Sequence, residues 1–221
     1  KRKLRSMTAW EFIDRVLVDG IGVRCLIVGD DCHFGCDRLG NITLLREAGQ
    51  KYGFEVIDTA TLEHNHRRIS STWVREALEQ GDFPLAEQLL GRHFSISGRV
   101  MHGEKLGRQL GVPTANVNLK RHRAPLKGVY IVEVVLNGER LPAEANVGLR
   151  PTVGDLVRPI LEVHILDWNK DIYGDHIQVD FLAKIRDEQR FPSIDALLEQ
   201  IRQDIDRAKT YFAQRNPPRH N

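Results

Sequence analysis

Hydrophobic residues in the first 60 positions alternate between helical and strand spacing. Apolar residues recur at helical spacing after Thr8, and Glu11 stands three residues further on, as in a capping box. The run VRCLIVG (23–29) is continuously apolar and of strand length, which predicts a parallel strand buried on both faces. NITLLREAGQKYG and FEVIDT then predict a second helix and a second strand. This alternation is typical of an α/β domain.

Two short helices follow, and the pattern then changes. RRISSTWVREALEQG and DFPLAEQLLG predict helices that end near Gly81 and Gly91. From residue 93, HFSISGRVMH, GVYIVEVVLNGERL and ILEVHILDWNKDIYGDHIQVDFLAKI alternate apolar and polar residues, with a hairpin signal at Asn137 and Gly138. Frequent turns between these short strands predict a closed antiparallel barrel or a sandwich.

The change of period also predicts the domain organisation. SIDALLEQIRQDIDRAKTYFA predicts an amphipathic helix capped by Ser193, and QRNPPRHN predicts disorder. We therefore expect an α/β domain over 1–91, a barrel with a C-terminal helix over 92–213, and a disordered tail over 214–221. The chain opens on KRKLRS without an initiator Met, so we expect a fragment that holds only the later part of its first domain.

Composition narrows the class of protein. A chain of 221 residues, 41% of them hydrophobic, can build a core, and its apolar runs are far shorter than the roughly 20 residues of a membrane span. With 32 basic and 30 acidic residues, the chain lacks the large net positive charge that would indicate nucleic acid as a partner. The chain has three cysteines, Cys25, Cys32 and Cys36. An odd number argues against a framework of disulfides and favours the reducing cytoplasm. A zinc site with His33 is disfavoured because close CxxC pairs are missing.

The stretch GRVMHGEKLGRQLGVPTAN (98–116) combines glycines, cations and oxygen ligands. Its backbone N–H groups can approach phosphate oxygens, and Lys105 and Arg108 can neutralise them. Thr114 and Asn116 can complete a Mg²⁺ shell. These are parts of a nucleotide triphosphate site, although the P-loop pattern GxxxxGK[ST] is absent. A connecting loop without a ligand is the alternative.

The strand LEVHIL offers a candidate general base. Glu162 and His164 point to one face of the strand, and Leu161 and Val163 point to the other. A solvated polar face is the alternative interpretation. If this face looks into a phosphate site, Glu162 can take a proton from an attacking hydroxyl.

Two further stretches carry polar groups at the ends of predicted elements. In ISSTWVR, Arg75 follows the hydroxyl-bearing residues that begin a helix: Ser70, Ser71 and Thr72. Such a helix start can bind an anion, and a plain N-cap is the alternative. GDDCHFG places Asp30 and Asp31 at the carboxyl end of a strand, where ligands bind in α/β sheets. Any such strand must nevertheless end in some turn.

These stretches together resemble a known family. GRVMHGEKLGRQLGVPTANV, PLKGVYIVEV, ANVGLRPTV, LEVHILDWNKDIYG and IRDEQRFPSIDAL have the order and spacing of a riboflavin kinase module, and IVGDDCHFG and RRISSTWVREAL resemble an adenylyltransferase module. The chain resembles the bacterial bifunctional riboflavin kinase / FMN adenylyltransferases (FAD synthetases) over nearly its whole length. The resemblance implies a partial nucleotidyltransferase-like α/β domain and a six-stranded Greek-key barrel with a C-terminal helix.

The resemblance also implies roles for individual residues. Thr114 and Asn116 would hold Mg²⁺ and phosphate, and Glu162 would be the catalytic base. The ATP-binding set would be Gly103, Lys105, Arg108, Gly111 and Tyr173. Arg186 and Phe191 would lie against the flavin, because a guanidinium and an aromatic ring offer flat, weakly hydrated faces.

The adenylyltransferase part departs from the family pattern. One signature is matched by Ser70, Ser71, Thr72 and Arg75, and the strand-end loop is matched by Asp30, Asp31, Phe34 and Gly35. Cys32 stands where the family has an aromatic residue and His33 where it has Arg. A segment of the type Gly-x-Phe-Asp-Gly-x-His-x-Gly-His does not occur in the 221 residues. We therefore expect these residues not to convert FMN to FAD.

The leading hypothesis is an ATP-dependent riboflavin kinase that forms FMN with Mg²⁺. We expect ATP and riboflavin as partners, no nucleic acid or membrane partner, and a monomer or weak oligomer in the cytoplasm. A non-catalytic flavin- or RNA-binding barrel is the rival hypothesis, and the near-neutral charge counts against RNA. A second rival is an enzyme that is chiefly an adenylyltransferase, whose barrel only presents the flavin.

Overall fold

The computed structural model of the chain describes residues 2–36, 38–101, 112–117, 119, 126–151 and 157–215. Two compact units divide the chain, Lys1–Ile69 and Ser70–Asn221. This division lies before the two short helices of residues 71–90, whereas the change of hydrophobic period lies after them. The domain boundary near residue 91 therefore stays a prediction.

The first unit has the α/β arrangement that its alternating pattern predicts. Its elements are α1 (Arg2–Arg5), α2 (Ala9–Phe12) continued by a π-helical segment (Ile13–Val18), β1 (Cys25–Gly29), α3 (Ile42–Tyr52), β2 (Glu55–Thr59), β3 (Glu63–His64) and β4 (Arg67–Arg68). Strands β1 and β2 are parallel neighbours. The capping box is confirmed, because Thr8 Oγ1 accepts from the Glu11 N–H (3.3 Å) and Glu11 Oε2 accepts from the Thr8 N–H (3.0 Å).

Strand β1 is covered on one face, so the prediction that both faces are buried is wrong. Leu26 and Val28 pack with the helical residues of this unit. Cys25 and Ile27 point the other way, and Ile27 is 64% exposed. The continuous apolar run does form a parallel strand. The helices of this unit pack on only one side of the two-stranded sheet, so the other face of β1 is left uncovered.

The second unit is built on a closed antiparallel barrel, as predicted. Its elements are α4 (Ser71–Gln80), α5 (Phe83–Leu90), β5 (Phe94–Met101), β6 (Ala115–Val117), β7 (Gly128–Leu136), β8 (Glu139–Pro151), β9 (Val157–Ile165), β10 (His176–Arg186) and α6 (Ile194–Arg215). The strands close in the order β10-β5-β6-β9-β8-β7. Because β6 lies beside β9 rather than β7, strands β6 to β9 form a Greek key. The predicted hairpin joins β7 to β8 through Asn137 and Gly138, whose φ values are 51° and 86°.

Apolar side chains fill the inside of the barrel. The largest fully buried ones include Tyr130, Val147, Leu161 and Phe181. Phe83 of α5 joins them, with its ring centroid 5.7 Å from that of Tyr130 and 6.4 Å from that of Phe181. Helix α5 therefore completes the aromatic core of the barrel.

Helix α6 packs on the outside of the barrel. Ala208 is buried there with Ile131 and Leu166, and the Ser193 hydroxyl caps the helix by accepting from the Ala196 N–H (3.2 Å). The helix continues through Arg215, so the first two residues of the tail predicted over 214–221 are helical, and the rest of that tail lies outside the described residues. Across the described ranges, no helix combines the length and the apolar character needed to cross a membrane.

Candidate active site

Three polar side chains form a row across neighbouring strands on the outer face of the barrel. Strand β9 lies between β6 and β8 and places Glu162 directly opposite Asn116 on one side and Asn146 on the other. Residues directly opposite each other in an antiparallel pair share one face, with Cα atoms about 4.5–5.5 Å apart. The alternate residues Leu161 and Val163 are 0% and 1% exposed and point into the core. This polar row (Asn116, Glu162 and Asn146) puts the candidate base beside a candidate metal ligand.

The turn that carries Thr114 is held against strand β9. His164 Nδ1 lies 2.8 Å from the carbonyl oxygen of Pro113, to which the Nδ1–H tautomer donates. Ala115, two residues after Pro113, pairs with Val163 in the barrel. Strand pairing and this hydrogen bond therefore set the position of Thr114 relative to Glu162.

The side-chain oxygen of Asn116 is buried and unsatisfied. Asn116 Oδ1 is shielded from solvent and has no hydrogen-bond partner in the described part of the chain. Such an atom costs about 1–3 kcal/mol unless a ligand satisfies it. An amide oxygen and a hydroxyl are hard donors that suit Mg²⁺, which keeps water and substrate phosphates as its other ligands. Thr114 and Asn116 therefore fit a Mg²⁺ ion that arrives with a nucleotide.

A second candidate metal site, at the cysteines and His33, gains no support from the described residues. Within those ranges, no group of three or more His, Cys, Asp and Glu side chains is placed to hold a metal ion. In particular, Cys25 and Cys36 are exposed free thiols, and burial raises the pKa of the part-buried Cys32 thiol. A raised pKa disfavours the thiolate that a metal would require.

A cavity of about 370 Å³ opens beside the turn at Thr114. Its apolar lining includes Val100, Val163, Trp168, Ile172 and Tyr173. Lys170 holds Trp168 at the edge and over one face of the ring, because Trp168 Nε1 donates to the Lys170 carbonyl oxygen (3.2 Å) and Lys170 Nζ lies 4.9 Å from the ring centroid. Tyr173, predicted on the nucleotide side, thus shares a cavity with Thr114. Sequence reasoning missed Trp168, whose signal is an aromatic residue in the turn between two strands.

Arg186 lies in a buried ion pair with helix α6. Its Nε donates to Asp204 Oδ2 (2.8 Å), and the two side chains are 17% and 2% exposed. Gln200 donates to the other oxygen of Asp204 (3.0 Å). The guanidinium carbon of Arg186 lies 5.6 Å from the ring centroid of Phe191. The two predicted flavin-binding residues are therefore neighbours, and Asp204, which orients Arg186, was missed because it lies 18 residues away on another element.

Glu144 is a further polar residue of the outer face that sequence reasoning missed. It lies directly opposite His164 on β9, and its Oε2 is buried without a hydrogen-bond partner in the described residues. Burial, together with the nearby Asp204 carboxylate, raises the pKa of Glu144 to about 8, although Arg186 opposes the shift. At neutral pH this carboxyl is therefore mostly protonated.

The predicted adenylyltransferase residues of the first unit lie at the carboxyl end of β1. Thr61 Oγ1 donates to Asp30 Oδ2 (2.7 Å). Arg68 pairs with Asp31 (2.7 Å), and this hydrogen bond holds the pKa of the Asp31 carboxyl below its usual range. Both aspartates are thus engaged with residues of their own unit.

The remaining adenylyltransferase candidates lie at the start of α4, in the second unit. Ser70 is an N-cap that accepts from the Trp73 N–H (3.2 Å). Arg75 donates to the Ser71 hydroxyl (3.2 Å), and Thr72 is exposed. The plain N-cap interpretation accounts for Ser70, and an anion site at this helix start stays a prediction.

The described site residues fall into two groups around the polar row. Thr114 and Tyr173 line the cavity, and the pair of Arg186 and Phe191 lies towards α6, where Arg186 pairs with Asp204. Four further predicted ATP ligands lie outside the described residues: Gly103, Lys105, Arg108 and Gly111. A carboxylate beside an amide oxygen, with a hydroxyl and a ligand-sized cavity close by on a small antiparallel barrel, is an arrangement that suits a small-molecule kinase.

Comparisons with known proteins identify the family. The family model described as riboflavin kinase matches residues 90–212, and the model described as FAD synthetase matches residues 1–73. The chain belongs to the family of bifunctional riboflavin kinase/FMN adenylyltransferases.

Individual relatives agree with this family. The bifunctional riboflavin kinase/FMN adenylyltransferase of Pseudomonas fluorescens is 53% identical over 212 residues, which are 96% of this chain and 68% of the relative. The protein of that name from Escherichia coli (strain K12) is 50% identical over 217 residues, 98% of this chain and 69% of the relative. The crystal structure of a macrolide-efflux protein from Streptococcus pneumoniae matches with a TM-score of 0.69 at 33% identity, covering 94% of this chain and 66% of that chain. This last likeness supports the fold.

Proposed function

We infer that this chain is a riboflavin kinase, which transfers the γ-phosphate of ATP to the 5′-hydroxyl of riboflavin to form FMN. The riboflavin kinase model and the relatives support this activity, and they give no support to a non-catalytic flavin- or RNA-binding barrel. The observation that carries the mechanism is the register that sets Glu162 opposite Asn116.

Glu162 is the general base of this mechanism. It takes the proton from the ribityl 5′-hydroxyl as that oxygen attacks the γ-phosphate. Thr114 and Asn116 would hold Mg²⁺, which supplies positive charge to the phosphates when it is bound with the nucleotide. The cross-strand pairing holds Asn116 and Glu162 at adjacent positions, so the base acts next to the phosphates.

The two substrates approach the polar row from different sides. The apolar cavity beside Thr114 suits an adenine base, which can stack near Trp168 and Tyr173. The glycine-rich loop, with Lys105 and Arg108, would neutralise the phosphates. Arg186 and Phe191 offer their flat faces to the flavin ring, and Asp204 keeps the guanidinium in place.

The test is FMN formation by the purified chain. Incubation with riboflavin, ATP and MgCl₂ should yield FMN on chromatography, and omission of MgCl₂ should abolish the yield. Absence of FMN under all conditions would contradict the proposal. The variant Glu139→Gln, in the exposed hairpin strand, is the matched control and should behave like the unmodified chain.

Parallel reactions with FMN in place of riboflavin examine the remaining predictions. Analysis for FAD in these reactions tests the expectation that these residues do not adenylylate FMN, as well as the rival hypothesis of a chiefly adenylylating enzyme. FAD formed from FMN by a chain that forms no FMN from riboflavin would favour that rival. The cytoplasmic location and the monomeric or weakly oligomeric state stay predictions, and sedimentation of the purified chain measures the second.

A further inference from the structure

Glu144 lies beside the row of residues that joins the candidate base Glu162 to Arg186 across the strands. Strand β8 places Glu144 opposite His164 of β9 and opposite Ile131 of β7, and Asn146 two residues on opposes Glu162. Glu144 is therefore a diagonal neighbour of Glu162, at about 7–8 Å between Cα atoms. Glu144 and Asn116 are separated by two strand spacings across β9, about 10 Å, and by two residues along it.

Helix α6 covers the other side of Glu144. Ile131, its β7 neighbour, is buried with Ala208 of α6, and Asp204 lies one turn earlier on that helix. The charged or titratable groups that face Glu144, directly or diagonally, are then His164 and Glu162 of β9, Glu133 of β7, Arg186 of β10 and Asp204 of α6. Strand β7 places the apolar Ile131 directly opposite Glu144 and Glu133 diagonally from it, and β8 itself contributes Asn146.

None of these neighbours satisfies the buried Oε2 of Glu144. Arg186 donates hydrogen bonds from Nε to Asp204 and from Nη1 to the Asp187 carbonyl oxygen. Both carboxylate oxygens of Asp204 are engaged, by Arg186 and Gln200. Glu144 Oε2 is left without a hydrogen-bond partner in the described residues. A buried polar atom without a hydrogen-bond partner destabilises the folded chain. A ligand that hydrogen-bonds to this atom removes the destabilisation.

We propose that Glu144 is a substrate-specificity residue of the kinase reaction, which recognises a ribityl hydroxyl of riboflavin by a hydrogen bond. The inference rests on the proposed function, because the ribityl chain must run from the flavin ring near Arg186 to a terminal hydroxyl at Glu162. The register places Asn146 and Val129 in the direct row between those two residues, and Glu144 lies beside that row, two residues before Asn146 on β8.

The neutral form of the carboxyl suits this task. A protonated carboxyl can both donate and accept, as a hydroxyl can, and it does not repel the phosphates that converge on Glu162. Ionisation of Glu144 removes its donor and adds a third negative charge beside Asp204 and Glu162. Riboflavin binding should therefore weaken when the pH rises past the pKa of about 8.

The test compares Glu144→Gln, Glu144→Leu and the control Glu139→Gln in steady-state FMN formation. We expect Glu144→Leu to raise the riboflavin KM about tenfold, the size of one lost hydrogen bond, with the ATP KM unchanged. Glu144→Gln should keep the riboflavin KM of the unmodified chain at pH 7. It should also lose the rise in that KM between pH 7 and 9.5, because an amide does not ionise.

Deoxyribityl flavins give a readout that a merely structural role would not move. Of the flavins that lack the 2′-, 3′- or 4′-hydroxyl, one should bind the unmodified chain more weakly than riboflavin does. The same flavin should bind Glu144→Leu as tightly as riboflavin binds that variant. Equal discrimination by both proteins, or an unchanged pH dependence in Glu144→Gln, overturns the inference. If Glu144→Leu does not fold, the Glu144→Gln pH profile decides. Failure of the unmodified chain to form FMN is a separate result, which overturns the proposed function itself.

Discussion

The imidazole Nδ1 of His164 lies 2.8 Å from the carbonyl oxygen of Pro113, the residue before Thr114. Replacing His164 with Ala removes the donor that holds this turn, so we expect kcat to fall roughly tenfold or more through misplacement of Thr114. His164→Asn presents an amide donor near the Nδ1 position and should recover part of the loss. Steady-state FMN formation at several Mg²⁺ concentrations measures both variants. Equal losses in both variants would argue against a role for the hydrogen bond.

Replacing Glu162 with Ala should separate binding from chemistry. Loss of a general base slows proton transfer, and we expect kcat to fall by about 10²- to 10⁴-fold. ATP binding, measured by calorimetry, should remain, because the cavity beside Thr114 is untouched. A Glu162→Ala variant with full turnover would remove this residue from the mechanism.

Replacing Asp204 with Ala should destabilise the second unit. The change leaves the Arg186 guanidinium buried without its partner, which costs about 3–5 kcal/mol. Chemical denaturation measures the loss of unfolding free energy. The matched control is Asp206→Ala, an exposed position on the same helix, where we expect less than about 0.5 kcal/mol of change. Similar effects of the two substitutions would show that the buried pair adds no stability.

The stability of the second unit should depend on the protonation of Glu144. Its pKa is raised from the usual 4.5 to about 8 in the folded chain, so the folded state holds its proton more tightly than the unfolded state. The free energy of unfolding should therefore fall as the pH rises from about 4.5 to about 8, and then level off. Glu144→Gln removes this contribution. Thermal unfolding of both proteins at pH 5, 7 and 9 measures the difference, which should be largest at pH 9.

Local sequence signals predicted local structure well. The spacing of Thr8 and Glu11 identified a helix start, and the Asn137-Gly138 pair identified a hairpin, because a few neighbouring residues determine each of these features. Burial of β1 was predicted wrongly, since the outer face of a strand depends on what else packs against the sheet. Ile27 is apolar but 64% exposed, and no local pattern carries that information.

Candidate site residues were predictable where one motif contains them and hidden where several elements assemble them. Thr114, Asn116 and Glu162 were proposed from residue type and motif, and strand register places Asn116 opposite Glu162, while their roles stay predictions. Glu144 lacks such a signal, because its neighbours come from β7, β9, β10 and α6. A glutamate that alternates with buried residues on a strand is typical of a solvated face, and only the tertiary fold shows that α6 lies over it.

The insertion of Phe83 among the barrel aromatics has a practical consequence for dissecting the enzyme. Cutting the chain at the change of hydrophobic period would remove this ring and expose the faces of Tyr130 and Phe181 to water. An excised kinase module should therefore begin at Ser70, where the second unit starts, so that α5 stays with the strands it stabilises.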